Sequence, residues 1–375
     1  IINSVKCLRK KDRKSVLLNK YIKMILISIF FFYMGCGITV SLLKIDCTDA
    51  SIPAEKSEAF EPLHNIEYAV LILSSPDNVM KRDAIRTTWG TFINNIFTEN
   101  GVRLYKWNHT RSSPLVFPDF LKMYFVIGTE HLDSLKLKRL QAENDKSRDL
   151  LLLNNFEDSY KNLASKMLHA LKWFSDNLKR LKYLIKCDDD SFVRIDLIVR
   201  DLEAFAPEMD APELNEYITY KKKSIPQKGL YWGYFDGRAH VYLNGKWQER
   251  DWFLCDNYLP YALGGGYVIS SSIVNYISNN ADYLSNYNSE DVSMGVWTAA
   301  LDGIHRVHDV RFDTQWKSRG CSEDMLVRHK QAPSDMFQMY RDLVYSQGNK
   351  LCKTETTDRK SYFYNWNVLP SACCK

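Results

Sequence analysis

The sequence has 375 residues, enough for one large domain or two, and its content of 45% hydrophobic and 13% aromatic residues excludes a chain that is disordered throughout. The formal net charge of +5 is unevenly placed, because residues 1–23 carry eight Lys or Arg and one Asp, a net of +7, which leaves −2 for the rest. Without a basic excess in the remaining residues, a nucleic-acid partner is disfavoured.

The first predicted element is a membrane-spanning helix over residues 24–43, which contain no charged side chain. About 20 apolar residues cross the core of a bilayer, whereas the apolar run of a cleaved signal peptide, the alternative, is usually about 7–15 residues long. With residues 1–23 as a basic cytosolic tail, a single-pass type II protein is predicted. Because the sequence starts with Ile, Met24 is an alternative initiator, and the charge argument would then not apply.

The residues beyond this segment are predicted to lie in the lumen. Residues 44–62 are polar and contain Pro, which predicts a flexible stem, and residues 63–375 are predicted to form one catalytic domain. Seven of the nine Cys follow the apolar segment, so disulfides are permitted there, with at least one of the seven unpaired within the chain. Asn108 begins a single N-glycosylation sequon, which is consistent with a lumenal location.

Strand and helix patterns alternate along the predicted domain. Apolar runs typical of buried parallel strands occur at residues 68–73, 123–127 and 183–186. Apolar residues at helical spacing predict helices at residues 79–90, 132–145 and 163–179. This alternation predicts an α/β fold with a mostly parallel sheet flanked by helices, in which ligands bind at the carboxyl ends of the strands.

The following segment has a different pattern. Residues 211–228 are predicted to be irregular. Residues 230–253 alternate aromatic residues with Gly and charged residues, which predicts short antiparallel strands, and Asn244-Gly245 is a hairpin signal.

The acidic triplet Asp188-Asp189-Asp190 follows the apolar run 183–186. Three adjacent carboxylates repel one another unless a cation compensates, so the triplet indicates Mn²⁺ or Mg²⁺ bound by oxygen ligands together with a diphosphate. The alternative is a solvated acidic turn before a helix that begins near Phe192.

Two other segments give weaker signals. Glu290 and Asp291 open a helical stretch, where a carboxylate can act as a general base or can simply cap the helix. His329 follows a short predicted strand, where an imidazole can bind a metal or can be an ordinary hydrogen-bonded side chain. Neither segment decides the function alone.

Taken in order, several segments resemble the beta-1,3-glycosyltransferase family (glycosyltransferase family 31), and the resemblance covers roughly residues 66–375. They include RDAIRTTW at 82–89, YFVIG at 124–128, YLIKCDDDSF at 183–192, PYALGGGYVIS at 260–270 and EDV at 290–292. The resemblance implies a single GT-A-type nucleotide-sugar-binding domain, a divalent metal that is Mn²⁺ or Mg²⁺, and a nucleotide-sugar donor.

The resemblance also implies roles for individual residues. Asp291 would be the catalytic base, and Asp190 and His329 would bind the metal. Residues implied to bind the donor are Arg82, Arg86, Asp188, Asp189, Gly264, Gly265 and Gly266. Residues implied to contact the acceptor are Trp232, Tyr261 and Glu290, with a place in the core as the alternative for the aromatic ones.

Within the family, residues 231–238, 252–267, 311–321 and 370–374 are most similar to members that transfer galactose from UDP-galactose, in beta-1,3 linkage, to the galactose of Gal-Xyl-Ser. This implies an inverting Golgi enzyme that acts on a proteoglycan core protein and forms complexes with other Golgi glycosyltransferases. The alternatives are a beta-1,3-N-acetylglucosaminyl- or galactosyltransferase with another acceptor, a catalytically silent membrane-tethered sugar-binding protein, and a metal-dependent hydrolase.

Overall fold

The structure, a computed structural model, describes residues 23–32, 65–99, 102–107, 118–210 and 229–374. The chain divides into two units, Ile1–Glu61 and Pro62–Lys375. In the first unit the described residues 23–32 form a helix, and no helix among the described residues of the chain is long and apolar enough to cross a membrane. The rest of the predicted span, residues 33–43, lies outside the described residues, as do the predicted stem, Asn108 and residues 211–228.

The second unit is built on a seven-stranded sheet. The strands of this unit, in chain order, are β1 (Tyr68–Leu73), β2 (Ile96–Glu99), β3 (Val102–Tyr105), β4 (Leu121–Gly128), β5 (Leu150–Leu153), β6 (Tyr183–Asp188), β7 (Phe192–Val193), β8 (Gly229–Asp236), β9 (Tyr261–Ser270), β10 (Ile304–His308), β11 (Phe312–Asp313), β12 (Gly320–Cys321), β13 (Val327–Arg328) and β14 (Thr356–Thr357). The large sheet has the order β10-β8-β9-β6-β1-β4-β5. Strands β5, β4, β1 and β6 are parallel, and β9 runs antiparallel to β6 and β8, which confirms the predicted mostly parallel sheet.

Helices cover both faces of this sheet. They are α1 (Val79–Thr87), α2 (Ser134–Ser147), α3 (Leu163–Asn177), α4 (Ile195–Asp210), α5 (Ser271–Asn279), α6 (Glu290–Ala299) and α7 (Pro333–Tyr345). Buried apolar residues of α1, α2, α4 and α7 belong to one hydrophobic cluster, and those of α3 and α5, with Met294 and Trp297 of α6, belong to another. The mixed α/β architecture with helices on both faces is therefore as predicted.

Strand β1 explains why the apolar runs of the sequence are continuous. Val70 and Ile72 lie in one cluster, whereas Ala69, Leu71 and Leu73 lie in the other. Successive side chains of a strand point to opposite faces, so a strand that is covered on both faces needs an apolar residue at every position.

A small three-stranded sheet determines the position of His329. Strand β13 pairs antiparallel with β7, with Arg328 opposite Phe192, and parallel with β11. The pairing brings the residue after β13 alongside the acidic triplet just before β7. The contact between the two segments continues beyond the strands, where the backbone N–H of Gln331 donates to the carbonyl oxygen of Asp190 at 2.8 Å.

The predicted elements 68–73, 123–127, 183–186, 79–90, 132–145 and 163–179 are all present, with bounds shifted by a few residues. The helix expected near Phe192 begins at Ile195, because Phe192 and Val193 pair with β13 instead.

The prediction of several antiparallel strands over residues 230–253 is wrong beyond Asp236. In the part of this segment that the structure describes, β8 is followed only by an isolated bridge between His240 and Asn257. Asn244-Gly245 lies in a turn closed by a hydrogen bond from the Gln248 N–H to the Gly245 carbonyl oxygen. The aromatic residues after β8 pack on one another, as Tyr242 does on Trp247 with ring centroids 5.5 Å apart, and do not line a strand face.

Two disulfides are present among the described residues. Cys321–Cys352 ties β12 to the segment after α7, and Cys373 bonds to its neighbour Cys374. Of the other described cysteines, Cys187 is buried and Cys255 is exposed, and neither is disulfide-bonded.

Candidate active site

The three side chains of the acidic triplet point in two directions. Asp188 and Asp190 face His329, whose Nε2 lies 3.3 Å from Asp188 Oδ2 and 3.1 Å from Asp190 Oδ1. Asp189 is buried and turns toward the end of β1 and the start of α1, where it accepts hydrogen bonds from Ser74 Oγ at 2.9 Å, Asn78 Nδ2 at 2.7 Å and Lys81 Nζ at 2.8 Å. Asp189 therefore holds the end of β6 to the end of β1, and the other two carboxylates form a separate cluster.

Asp188, Asp190 and His329 fit a divalent cation. One ligand atom from each of them lies within 4.8 Å of the others. Both ring nitrogens of His329 are buried and lack a hydrogen bond of acceptable geometry within the described residues, although two carboxylates lie beside Nε2. Buried polar atoms without partners are unusual, and a cation between the imidazole and the carboxylates would satisfy all three groups.

Without a cation, protonated His329 supplies the positive charge beside the two carboxylates. Burial lowers the pKa of His329, but Asp188 and Asp190 outweigh burial and raise it to about 9. Burial raises the pKa of Asp190, and the neighbouring His329 outweighs it and lowers that pKa. Since a metal-bound imidazole must be neutral, a divalent cation and the His329 proton compete for this cluster.

The glycine run Gly264–Gly266, in the middle of β9, forms one wall of the site. A Cβ added at Gly265 would lie 2.5 Å from His329 Cγ, and one added at Gly264 would lie 3.2 Å from Asp291 Oδ2. A Cβ at Gly266 would lie 2.9 Å from a methyl group of Val327. The predicted role was close approach of the donor to the backbone; in the structure the three glycines instead make room for protein side chains, including those of His329 and Asp291.

These distances predict separable effects of two alanine substitutions. We expect Gly265→Ala to displace His329 and to weaken Mn²⁺-dependent UDP binding by roughly tenfold or more, because disturbed ligand orientation typically lowers metal affinity 10–100-fold. We expect Gly264→Ala, which touches Asp291 instead, to lower kcat more than UDP affinity. Calorimetry of UDP binding with Mn²⁺ and steady-state kinetics on both variants check this; equal loss of UDP affinity in both would contradict it.

Asp291 is the second residue of helix α6 and also contacts the glycine run. Its Oδ2 accepts the Gly264 N–H at 2.9 Å, and its Oδ1 accepts the Val292 N–H at 2.9 Å. Burial raises the pKa of Asp291, and the Gly264 N–H opposes that rise. A carboxylate with a raised pKa takes a proton more readily, so the environment of Asp291 suits a general base.

We call Asp188, Asp190 and His329 the metal cluster. Lys186 connects this cluster to the segment that carries Asp291, and it was not among the residues singled out from the sequence. Its buried ammonium lies 3.0 Å from Asp188 Oδ1 and 2.9 Å from Glu290 Oε2, and it donates to the Gly264 carbonyl oxygen at 2.5 Å. Burial lowers its pKa, but Asp188 and Glu290 outweigh burial and raise it, so the ammonium stays charged. The available signal was a lysine inside an otherwise apolar strand, which needs buried carboxylate partners.

Arg82 and Arg86, expected near the donor phosphates, are engaged within the fold. Arg82 is 0% exposed and binds both oxygens of Glu143 at 2.7 Å. Arg86 binds Asp149 and Glu143 at 2.8 Å. Their hydrogen-bond donors are directed at these carboxylates, so direct phosphate binding does not fit this geometry. Arg82 also donates to Ser74 Oγ, which in turn donates to Asp189, and so stabilises the position of Asp189.

The three acceptor-contact candidates are buried. Trp232 is 2% exposed, packs on Phe312, and donates its indole N–H to Asp309 at 3.0 Å. Glu290 binds Lys186 and accepts the Tyr267 hydroxyl. Tyr261 is 6% exposed and lies in a small cluster with Tyr258 and Val292. Stacking of Trp232 on a sugar does not fit its burial, and the other two residues support the Asp291 segment from inside.

Similarity to known proteins covers most of the chain. The family model described as Galactosyltransferase matches residues 80–310. Mouse beta-1,3-galactosyltransferase 6 is 38% identical over 340 residues, which are 91% of this chain and 92% of the mouse protein. UDP-GalNAc:beta-1,3-N-acetylgalactosaminyltransferase 2 of Xenopus laevis is 31% identical over 54% of this chain and 36% of its own length.

A third relative, beta-1,3-galactosyltransferase 1 of mouse, is 25% identical over 74% of each chain. The family match contains the acidic triplet, the glycine run and Asp291, but it ends before His329. The assignment of His329 as a ligand therefore depends on its geometry.

Proposed function

The chain belongs to the galactosyltransferase family, and we propose that it transfers galactose from UDP-galactose, in beta-1,3 linkage, to the galactose of Gal-Xyl-Ser in proteoglycan linkage regions. The chain is an enzyme of the beta-1,3-galactosyltransferase type; the acceptor is the proposed part. The observation that carries the proposal is that the Gly264–Gly266 wall contacts both the cation-binding cluster, through His329, and a general-base candidate, Asp291.

The donor side of the site lies at the carboxyl ends of the parallel strands. Asp188, Asp190 and His329 would hold Mn²⁺ or Mg²⁺, which supplies Lewis-acid compensation for the charge that develops on the departing diphosphate. Asp189, with Ser74, Asn78 and Lys81 around it, keeps the β6 and β1 ends in register where a nucleotide would bind in a GT-A-type fold.

The proposed chemistry is a single displacement with inversion. Asp291 takes the proton of the acceptor 3-hydroxyl as that oxygen forms a bond to the anomeric carbon. The bond between the anomeric carbon and UDP breaks, and its electron pair leaves with the diphosphate. Attack from the face opposite UDP converts the alpha-linked donor into a beta product. Lys186 keeps Glu290 and the Gly264 carbonyl fixed beside Asp291 throughout.

A donor-by-acceptor assay tests the proposal. Purified protein with Mn²⁺ is given UDP-galactose or UDP-N-acetylglucosamine, each with a Gal-Xyl glycoside, with another beta-galactoside, or with no acceptor. We expect UDP release and a beta-1,3-linked product to depend on UDP-galactose and the Gal-Xyl glycoside together.

The other outcomes assign the rival functions. Preference for UDP-N-acetylglucosamine or for the other galactoside would replace the proposed reaction by a related transfer. UDP release without any acceptor would identify a hydrolase, and UDP binding without turnover would identify a silent sugar-binding protein. The Asp291→Asn variant serves as the catalytically impaired control.

We also propose that the enzyme is a type II membrane protein of the Golgi, where proteoglycan core proteins and other glycosyltransferases would be its partners. The uncharged residues 24–43 and the charge of residues 1–23 support this. In intact Golgi vesicles, the catalytic unit should resist added protease until detergent is present. Digestion without detergent would reverse the proposed topology.

A further inference from the structure

Three neighbouring aromatic side chains border the candidate active site; Tyr160 and Trp316 are exposed and Trp247 is half-buried, and clusters of exposed apolar groups commonly mark binding sites. We call Tyr160, Trp247 and Trp316 the aromatic rim. Trp316 is 60% exposed although it is one of the largest side chains in the protein, and its ring centroid lies 5.0 Å from that of Trp247 in an edge-to-face contact. The three residues come from separate loops and a 3-10 helix, so no local sequence pattern marks the rim.

One end of the aromatic rim is connected to the metal cluster through Lys330. Lys330 Nζ lies 5.3 Å from the centroid of the Trp316 ring and 3.3 Å from Asp190 Oδ2. A single lysine therefore contacts both Trp316 and a proposed metal ligand, which places the exposed indole within one side chain of the site.

The other end of the aromatic rim lies beside the base. The Tyr160 hydroxyl lies near the side chains of Trp247 and of Ser289, which is two residues before Asp291, and both oppose the rise of its pKa. Burial, followed by the charge of Asp291, raises the pKa of Tyr160 to about 12, so the hydroxyl stays protonated. Lys246 Nζ lies 4.2 Å from the Tyr160 ring centroid and holds the rim at this end.

We propose that the aromatic rim binds the acceptor glycan by stacking sugar rings on Trp316 and Trp247, a proposal that rests on the function proposed above. The acceptor hydroxyl must reach Asp291, so the acceptor has to pass along the surface between the base and the metal cluster, and the rim borders that surface. Indole rings bury large apolar area and keep one polar group for hydrogen bonding, which suits sugars that have an apolar C–H face and a polar edge. The nucleotide, in contrast, is expected on the side of Ser74, Asn78 and Lys81.

Trp316→Ala tests the role of the aromatic rim, because the side chain is exposed and its loss should not unfold the protein. We expect the acceptor KM of the Gal-Xyl glycoside to rise about tenfold, which corresponds to the loss of one stacked ring. The UDP-galactose KM and the affinity for UDP with Mn²⁺ should stay within about twofold. Trp316→Phe, which keeps a ring, should recover most of the acceptor affinity.

The control is Tyr345→Ala, an equally exposed aromatic at the end of α7, roughly 18 Å along that helix from its start near His329. It should leave both KM values unchanged. A rise in the donor KM of Trp316→Ala alone would assign the indole to the nucleotide and overturn the proposal, as would no change in either KM.

Saturation-transfer NMR can measure binding of the Gal-Xyl glycoside to protein saturated with UDP and Mn²⁺. This measurement tests the aromatic rim separately from the proposed reaction. If wild type binds the glycoside and Trp316→Ala does not, but wild type does not transfer galactose, the proposed reaction fails and the rim stands. If wild type transfers galactose and Trp316→Ala binds and reacts equally well, the reaction stands and the rim fails.

Discussion

Replacing Asp291 by Asn is expected to lower kcat by about 10²–10⁴-fold while leaving UDP affinity in the presence of Mn²⁺ within about twofold. The amide has nearly the shape of the carboxylate and its oxygen can still accept the Gly264 N–H, so the start of α6 should keep its position. What is lost is the ability to take a proton from the acceptor hydroxyl. Steady-state kinetics with UDP-galactose and a Gal-Xyl glycoside, together with calorimetry of UDP binding, measure both quantities.

The matched control for that substitution is Asp302→Asn, which removes the same charge from an exposed carboxylate in the turn after the same helix. It should leave kcat unchanged. Nearly normal turnover in Asp291→Asn would remove Asp291 as the base. Loss of UDP binding in that variant would mean that the substitution disturbs the Gly264–Gly266 wall, and the kinetic result would then not identify a base.

The large sheet could be predicted from the sequence because its physical cause is local. A strand covered on both faces requires apolar residues at consecutive positions, and residues 68–73 and 183–186 meet this requirement visibly. The loop after β8 could not be predicted in the same way. Its alternating aromatic residues satisfy a strand pattern, but they pack on aromatic residues of the same loop and of distant segments, such as Trp316, and local spacing does not determine this packing.

Some residues of the site are positioned by the local sequence, and others are positioned by segments that are distant in the chain. The position of Asp190 follows from its place at the end of a buried strand, whereas the position of His329 depends on the pairing of two-residue strands that are far apart in the chain. Arg82 and Arg86 are of a residue type that binds phosphate. In the structure their guanidinium groups are already hydrogen-bonded to Glu143 and Asp149, which the sequence does not reveal. Residue type alone does not distinguish a free guanidinium from one that holds the fold together.

The glycine run links the two halves of the proposed chemistry. Gly264 offers its N–H to Asp291 and its carbonyl to Lys186, and Lys186 in turn contacts Asp188 of the metal cluster. Gly265 lies against the His329 ring. Because one short backbone segment contacts the base candidate and the metal cluster, their separation is determined by a strand inside the sheet and not by mobile loops, which is the rigid placement that proton transfer at a fixed anomeric carbon requires.

Asp190→Ala is expected to abolish Mn²⁺-dependent UDP binding and to lower kcat/KM by on the order of a thousandfold or more, because metal stabilisation of the leaving diphosphate contributes several kcal/mol. The substitution removes one of two carboxylates beside His329 and leaves Lys330 without its partner. Calorimetry of UDP binding with and without Mn²⁺ measures the effect directly.

Asp176→Ala, an exposed carboxylate near the end of α3, is the control and should bind UDP as wild type does. The comparison separates the two halves of the site. If Asp190 belongs to the metal cluster and Asp291 to proton transfer, Asp190→Ala loses the metal dependence of UDP binding and Asp291→Asn keeps it. Unchanged Mn²⁺ dependence in Asp190→Ala would mean that the cation is held elsewhere, and the cluster of Asp188, Asp190 and His329 would then be a protonated ion-pair network in which His329 keeps its proton.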